Sequence, residues 1–450
     1  MFKRDVLDDL NYWASKPNRK PLVLRGARQV GKTTIVNYFG KDFDNFINLN
    51  LEDRRAATIF ESSQSISDLI IDLFAFKGVQ RKNGRTLIFI DEIQNSPQAV
   101  ARLRYFYEEI PEIYVIAAGS LIESLIDVHI SFPVGRVEYM AIHPFSFREF
   151  LVAEGNEILR QRIAESPKSS IVFHDQLIST FNRYTLIGGM PEIVKSYFNN
   201  LDIVSLSDIY ESLLQGYRDD IEKYATNKTH KEVIRTILTS GWALAGQSIK
   251  FNGFAGSEYK SREMGEAFRT LEKAMLLELV YPITQTCLPF LPERKRSPKL
   301  IWLDSGLVNY AANIQKEVFG SKDILDAWRG NIAEQIVAQE LLTLSNRVTN
   351  KRYFWRREKT NASAEVDFVF NYDSNIIPIE VKTGHNSHLR SLHSFVDNSE
   401  NCKLAVRVWS EPYSVDMIKT INGKEFKLLN IPFYLCGFLP KILESFLSEE

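Results

Sequence analysis

PLVLRGARQVGKTTIVNYFG, Pro21 to Gly40, decides the first half of the fold. An apolar run runs into a loop with two glycines, and the loop opens a stretch that reads as helix. Within it GARQVGKT, Gly26 to Thr33, matches G-x-x-x-x-G-K-[ST]. Strand, loop, helix is the order that phosphate binding needs. The glycines let backbone amides wrap the phosphates, and a helix N-terminus favours their charge. Gly26, Ala27, Arg28, Gln29, Val30, Gly31, Lys32, Thr33 and Thr34 are therefore the candidate cradle for ATP. Lys32 would reach the β- and γ-phosphates, and the Thr33 hydroxyl would ligate Mg²⁺.

A partner for this loop lies downstream in TLIFIDEIQ, an apolar strand ending in Asp91 and Glu92. Asp91 would hold the Mg²⁺ through water, and Glu92 would polarise an attacking water. Two carboxylates favour hydrolysis over binding alone, since one suffices for the metal. The next strand, YVIAAGS, ends at Ser120, which either senses the γ-phosphate or caps the helix that follows. Arg136 in FPVGRVEY is either an arginine finger, in cis or in trans, or an ordinary ion-pair arginine. From Pro21 to about Pro144 short apolar strands alternate with helical stretches, which implies a parallel sheet covered by helices.

Composition bounds the rest. The 450 residues allow two to four domains. A formal net charge of −1 gives no overall electrostatic case for nucleic acid and leaves only a local basic patch to make one. Cys287, Cys402 and Cys436 are far apart, so neither a disulfide framework nor a zinc site is expected. The first residues do not read as a signal peptide, and the apolar runs are too short to cross a bilayer. These features predict a cytoplasmic protein without a membrane partner, as monomer or homo-oligomer.

Beyond Phe145 the text turns helical, broken at GGMPE. KEVIRTILTSGWALA, SREMGEAFRTLEKAMLLELVYPI and a hairpin ending in KLIWLD follow in winged-helix order. Arg262, Arg269 and Lys273 on the second of these helices are balanced by Glu263, Glu266 and Glu272. That balance favours a spacer or protein contact over reading DNA. After Trp328 come a helix, GNIAEQIVAQELLTLS, and the strands RYFWRR, EVDFVFN and IPIEVKTG. A further helix and the strands KLAVRVWS and PFYLCGF complete the tail.

Taken together, GARQVGKTT, FIDEIQ, AAGS, FPVGRVEYMAIHPFSFREF, GGMPE, YRDDIEKY, SPKLIWLDSGL, WRGNIAEQIVAQEL, EVDFVF and IEVKTG resemble the AAA-type P-loop ATPases of bacteria and archaea that carry an uncharacterised C-terminal region. The resemblance covers nearly the whole chain except about its last 50 residues. A similar architecture occurs in archaeal-type ATPases grouped with signal-transducing NTPases. The resemblance implies an α/β chain: a P-loop NTPase parallel sheet, a helical and winged-helix-like middle, and a mixed α/β restriction-endonuclease-like end. The expected boundaries are 1–150 for the ATPase core, 151–227 for a helical connector, 228–325 for the winged-helix-like module and 326–450 for the last domain.

Restriction-type nucleases carry an acid on one strand and an acid and a lysine two apart on the next. Asp367, Glu380 and Lys382 fit that pattern, with Glu334 added from the preceding helix and Val366 where the motif has proline. The period of a strand puts Glu380 and Lys382 on one face. Asp367 and Glu380 would share a second divalent metal, and Lys382 would steady hydroxide or phosphate. Arg352, Trp355, Arg356 and Arg357, with His385, His388, Arg390 and His393, suit phosphates and stacking, or equally a solvated face over core aromatics. Two functions follow. One is an ATPase that acts on DNA through a metal-dependent nuclease domain. The other is a regulatory NTPase switch whose last domain is a non-cleaving scaffold for protein or DNA.

Overall fold

The computed structural model describes residues 2–119, 133–221, 225–314, 331–358, 364–383 and 389–448. The chain forms two compact units.

The first unit comprises residues 1–143 with the short segments 273–275 and 346–349. Its strands are β1 (Leu22–Arg25), β2 (Asn45–Asn50), β3 (Thr86–Asp91), β4 (Tyr114–Ala118) and β5 (Glu138–Ala141). Each apolar run predicted as a strand becomes one. They form a parallel sheet in the order β2-β3-β4-β1-β5. Its helices are α1 (Val6–Ser15), α2 (Lys32–Phe39), α3 (Arg54–Ser62), α4 (Ile66–Lys77) and α5 (Pro97–Glu109). Local chemistry sets where they start. Ser65 and Asp68 form a reciprocal capping box for α4, and Ser96 caps α5 ahead of Pro97 at its first turn. Ile88 and Ile90 of β3 are buried in one cluster with Leu69, Leu73, Val100 and Leu103 from α4 and α5. A β3 buried along its whole length is what a near-continuous apolar run in a parallel sheet requires.

The second unit comprises residues 144–272, 276–345 and 350–450. Its helices include α6 (Phe147–Ala153), α7 (His174–Ile187), α8 (Ser207–Ile221), α9 (Lys228–Ser240), α10 (Ser261–Lys273), α11 (Ser305–Ala311), α12 (Asn331–Leu342) and α13 (Arg390–Asn398). Its strands are β6 (Leu277–Ile283), β7 (Lys299–Trp302), β8 (Tyr353–Arg356), β9 (Glu365–Tyr372), β10 (Asn375–Val381), β11 (Leu404–Trp409), β12 (Ser414–Lys419) and β13 (Glu425–Pro432). They make one mixed sheet in the order β12-β13-β11-β10-β9-β8-β6-β7. The first half of β6 pairs with β7 and the second half with β8. The hairpin expected as a wing is therefore continuous with the C-terminal sheet.

Three local expectations change. LELVYPI is expected to end a helix, but the helix stops at Lys273 and the chain turns at Met275 (φ 57°) into β6. The β-branched and aromatic residues Val280 and Tyr281 fit a strand better than a helix. PFYLCGF is expected to be a strand; Phe433–Phe438 is a 3-10 helix, and the neighbouring strand is β13. GGMPE is more than a helix stop. Gly188 has φ 79°, and a Cβ on Gly189 would lie 2.2 Å from the Phe145 carbonyl oxygen. Each glycine is needed for a different reason, one for its dihedral and one for close approach.

Candidate functional site

At the carboxyl end of β1 the chain enters the Gly26–Thr33 loop and then α2, the order read from the sequence. Gln29 (φ 65°) and Gly31 (φ 92°) both take left-handed conformations. A Cβ on Gly26 would meet the Ile142 carbonyl oxygen at 2.5 Å. The loop therefore folds tightly because glycine stands where a side chain could not. Lys32 is buried, and its ammonium donates to the carbonyls of Gly26 and Ala27, each at 2.8 Å. Burial lowers its pKa to about 8, against the raising effect of Glu92 and Asp91.

The acid strand lies close to this loop. Only β4 separates β3 from β1 in the sheet. Thr33 Oγ1 donates to Asp91 Oδ2 over 2.6 Å, and Asp91 Oδ1 accepts from the Glu92 amide at 3.1 Å. Burial raises the Asp91 pKa, with the Thr33 hydrogen bond opposing that shift. Glu92 follows in a left-handed conformation (φ 52°), uncommon for a residue with a Cβ. Its carboxylate accepts from the Gln94 side-chain amide. Thr33, Asp91, Glu92 and Lys32 are thus brought together as expected, and Gln94 joins them. β4 ends at Ala118 between the two motifs, but Ser120 lies outside the described residues.

Arg136 is not at this site. β5 runs parallel to β1, with Glu138 opposite Leu22 and Ala141 opposite Arg25. Arg136 precedes the first residue of β5, so it sits at the edge of the sheet opposite the phosphate loop. At about 3.3 Å per residue the three steps from Glu138 to Ala141 put roughly 10 Å between the two edges. Arg136 pairs there with Glu108 (Nε to Oε1, 3.0 Å) in an exposed ion pair. The in-cis finger is corrected accordingly: this arginine does not face its own phosphate loop.

The second unit brings Glu334, Asp367, Glu380 and Lys382 into one region, with a fifth residue that sequence reasoning missed. Lys299, the first residue of β7, is 2% exposed. Its ammonium lies 2.7 Å from Glu334 Oε2, 3.1 Å from Glu365 Oε1 and 3.3 Å from Asp367 Oδ1. Asp367 Oδ2 accepts from the Val381 amide at 2.8 Å. Glu380 Oε1 accepts from Lys382 at 2.7 Å, while its buried Oε2 has no hydrogen-bond partner. Burial opposes a charge on Lys299, but Asp367, Glu334 and Glu365 more than offset it and hold the ammonium above the usual lysine range. Burial and the repulsion of Asp367 push the Glu334 pKa up to about 8 and that of Glu380 up to about 7.

These residues do not fit the second divalent metal. Both oxygens of Asp367 are engaged by nitrogen donors, and the Lys299 ammonium that takes one of them also takes Glu334 and Glu365. Among the described residues no group of three or more histidine, cysteine, aspartate or glutamate side chains is placed to hold a metal ion. Three residues of the candidate stacking cluster are engaged within the fold. Arg352 is buried and pairs with Glu278, Trp355 is buried and donates to the Thr284 carbonyl, and Arg356 pairs with Glu365. His393 packs edge-on against Phe426. His385 and His388 lie outside the described residues.

A buried polar row ties the motifs of this unit together. Gln335 on α12 grips Trp302 of β7 at both its amide (2.8 Å) and its carbonyl (2.7 Å). Gln339 accepts from the Ser305 amide and donates to the Tyr184 hydroxyl. Tyr184 donates to Glu340, which also accepts from the Phe147 amide. Asp304 caps α11 and accepts from the Gly189 amide at 2.5 Å. The segments SPKLIWLDSGL, NIAEQIVAQEL and GGMPE are therefore joined as buried scaffolding.

Comparison with known proteins matches three stretches of the chain. The AAA domain family matches residues 18–151. A domain of unknown function, DUF8612, matches 178–318, and another, DUF4143, matches 329–431. No curated protein matches the chain. Among solved structures the chain is similar to the Walker-type ATPase PABY2304 of Pyrococcus abyssi, at 14% identity and a TM-score of 0.41, over 69% of this chain and 96% of that one. It is also similar to the Aeropyrum pernix ORC1 protein in complex with DNA, at 11% identity and a TM-score of 0.25, over 69% of this chain and 90% of that one. PCH-2 of C. elegans follows at 13% identity and a TM-score of 0.23, over 37% of this chain and 49% of that one. No helix among the described residues is long and apolar enough to cross a membrane. Residues 18–151 match the AAA domain family, and the phosphate loop and acid strand within them have the arrangement that ATP binding needs.

Proposed function

We propose that the chain is a Mg²⁺-dependent ATPase whose second unit serves as a non-cleaving scaffold for a protein or DNA partner. The observation that carries the first part is the Thr33–Asp91 hydrogen bond, which sets hydroxyl and carboxylate side by side. Those two groups would hold Mg²⁺ between the loop and the acid strand, where the ion would neutralise charge on the phosphates. Lys32 would exchange the Gly26 and Ala27 carbonyls for phosphate oxygens. Glu92, oriented by Gln94, would draw the proton from the attacking water. Ser120 remains a candidate for sensing the γ-phosphate, and Arg136 a candidate only toward another copy of the chain.

For the second unit the nuclease reading is the weaker one, because Lys299 occupies Asp367, one of the two acids assigned to the metal, together with Glu334. The four-part division, with a winged-helix-like module at 228–325, is retained as a finer proposal. Helix, helix and hairpin occur there in that order. The test is a panel of single- and double-stranded DNA and RNA with Mg²⁺ or Mn²⁺, with and without ATP. The proposal expects phosphate release without strand scission. Scission that is lost in Asp367→Asn would overturn the scaffold reading.

A further inference from the structure

We propose that Lys299 is the resident cation of the carboxylate cluster in the second unit, its ammonium holding the place that a divalent ion takes in metal-dependent nucleases. Asp367 is one of the two residues the nuclease pattern assigns to the metal, and Glu334 is the acid it adds from the preceding helix; Lys299 lies 3.3 and 2.7 Å from them. A Mg²⁺ or Ca²⁺ ion binds such oxygens at about 2.0–2.6 Å and cannot share that position with an ammonium. The lysine is not free to leave. Phe354 lies under its ammonium, 4.9 Å from ring centre, and β7 is gripped three residues on by Gln335. Delivery from β7 matters too, because this strand precedes α12 and β9 in the chain and supplies a charge that neither of them carries. The cluster is therefore an internal ion-pair lock that joins β7, α12 and β9.

This deepens the scaffold reading of the second unit by naming what replaces the metal, and it is independent of the ATP site. The experiment is a Mn²⁺ titration of nucleotide-free full-length protein at pH 8, read by the paramagnetic resonance signal of the free ion. Wild type, Asp367→Asn, Lys299→Met and the double variant are compared. Wild type and Asp367→Asn should titrate alike. Lys299→Met should gain one site binding at least tenfold more tightly than any in wild type, and the double variant should lose it. A wild-type site removed by Asp367→Asn overturns the proposal, as does a folded Lys299→Met with no new site. Should Lys299→Met fail to fold, the comparison of wild type with Asp367→Asn decides alone. Scission in the nuclease panel would instead defeat the scaffold reading itself, so the two failures are distinguishable.

Discussion

Thr33 Oγ1 and Asp91 Oδ2 lie 2.6 Å apart, 58 residues apart in sequence, and they join the phosphate loop to the acid strand. Their contact makes the metal requirement testable. Thr33→Ala should weaken Mg-ATP binding on the order of tenfold, or about 1.4 kcal/mol, while leaving metal-free ATP binding little changed. Calorimetric titration with and without Mg²⁺ reads the difference. An equal loss in both conditions would place Thr33 outside the metal's coordination.

Glu92 should separate binding from chemistry. Glu92→Gln keeps the shape and the contact with Gln94 but removes the base. Its kcat should fall by about 10²–10⁴ with nucleotide affinity retained. A steady-state assay paired with a fluorescent-nucleotide titration checks this. An unchanged kcat would move the base elsewhere.

Arg136→Ala should leave ATP affinity, melting temperature and turnover of dilute protein unchanged, since its partner Glu108 is a surface residue at the far edge of the sheet. A drop confined to high protein concentration would show the arginine acting on a neighbouring copy. A drop in dilute protein would contradict the placement.

Glycine positions in the second unit should split sharply. A Cβ on Gly306 would lie 2.0 Å from the Ile187 carbonyl oxygen, whereas one on Gly216, inside α8, meets nothing within 4 Å. Gly306→Ala should cost about 2 kcal/mol or more, and Gly216→Ala should stabilise by about 0.5–1 kcal/mol. Denaturant unfolding of each variant measures both.

Glu340 gives a pH dependence. Burial raises its pKa from 4.5 to about 7. The folded protein then holds this proton more tightly than the unfolded chain does. The resulting stabilisation is full below pH 4.5 and is lost as pH rises through about 7. Glu340→Gln should remove that loss, a difference on the order of 2 kcal/mol between pH 5 and pH 8. Melting curves of both proteins across that range test it, and parallel pH profiles would count against it.

The ATP site was legible in the sequence because its geometry is local. Gly26, Gly31 and Lys32 lie within one strand–loop–helix turn, and Asp91 ends an apolar run that can only be a buried strand. Arg136 stays open in the sequence between finger and ion-pair arginine, because β5, which fixes its place, is only four residues long and carries no clear apolar run. Lys299 was invisible for another reason. Lysines are almost never fully buried, so one at the head of an apolar strand reads as solvated. Its partners lie 35, 66 and 68 residues downstream on two other elements. Gln335 and Gln339 likewise read as ordinary polar helix positions until their bonds to Trp302 and Ser305 are seen. The only legible trace of the lock was SPKLIWLD itself, a segment whose lysine no sequence motif explained.

The most direct test of the account is ATP turnover by full-length wild type and Lys32→Ala in the presence of Mg²⁺. The account predicts steady phosphate release by wild type that falls at least a hundredfold in Lys32→Ala and disappears when Mg²⁺ is chelated. Equal turnover in the two proteins, or turnover that survives chelation, would contradict it.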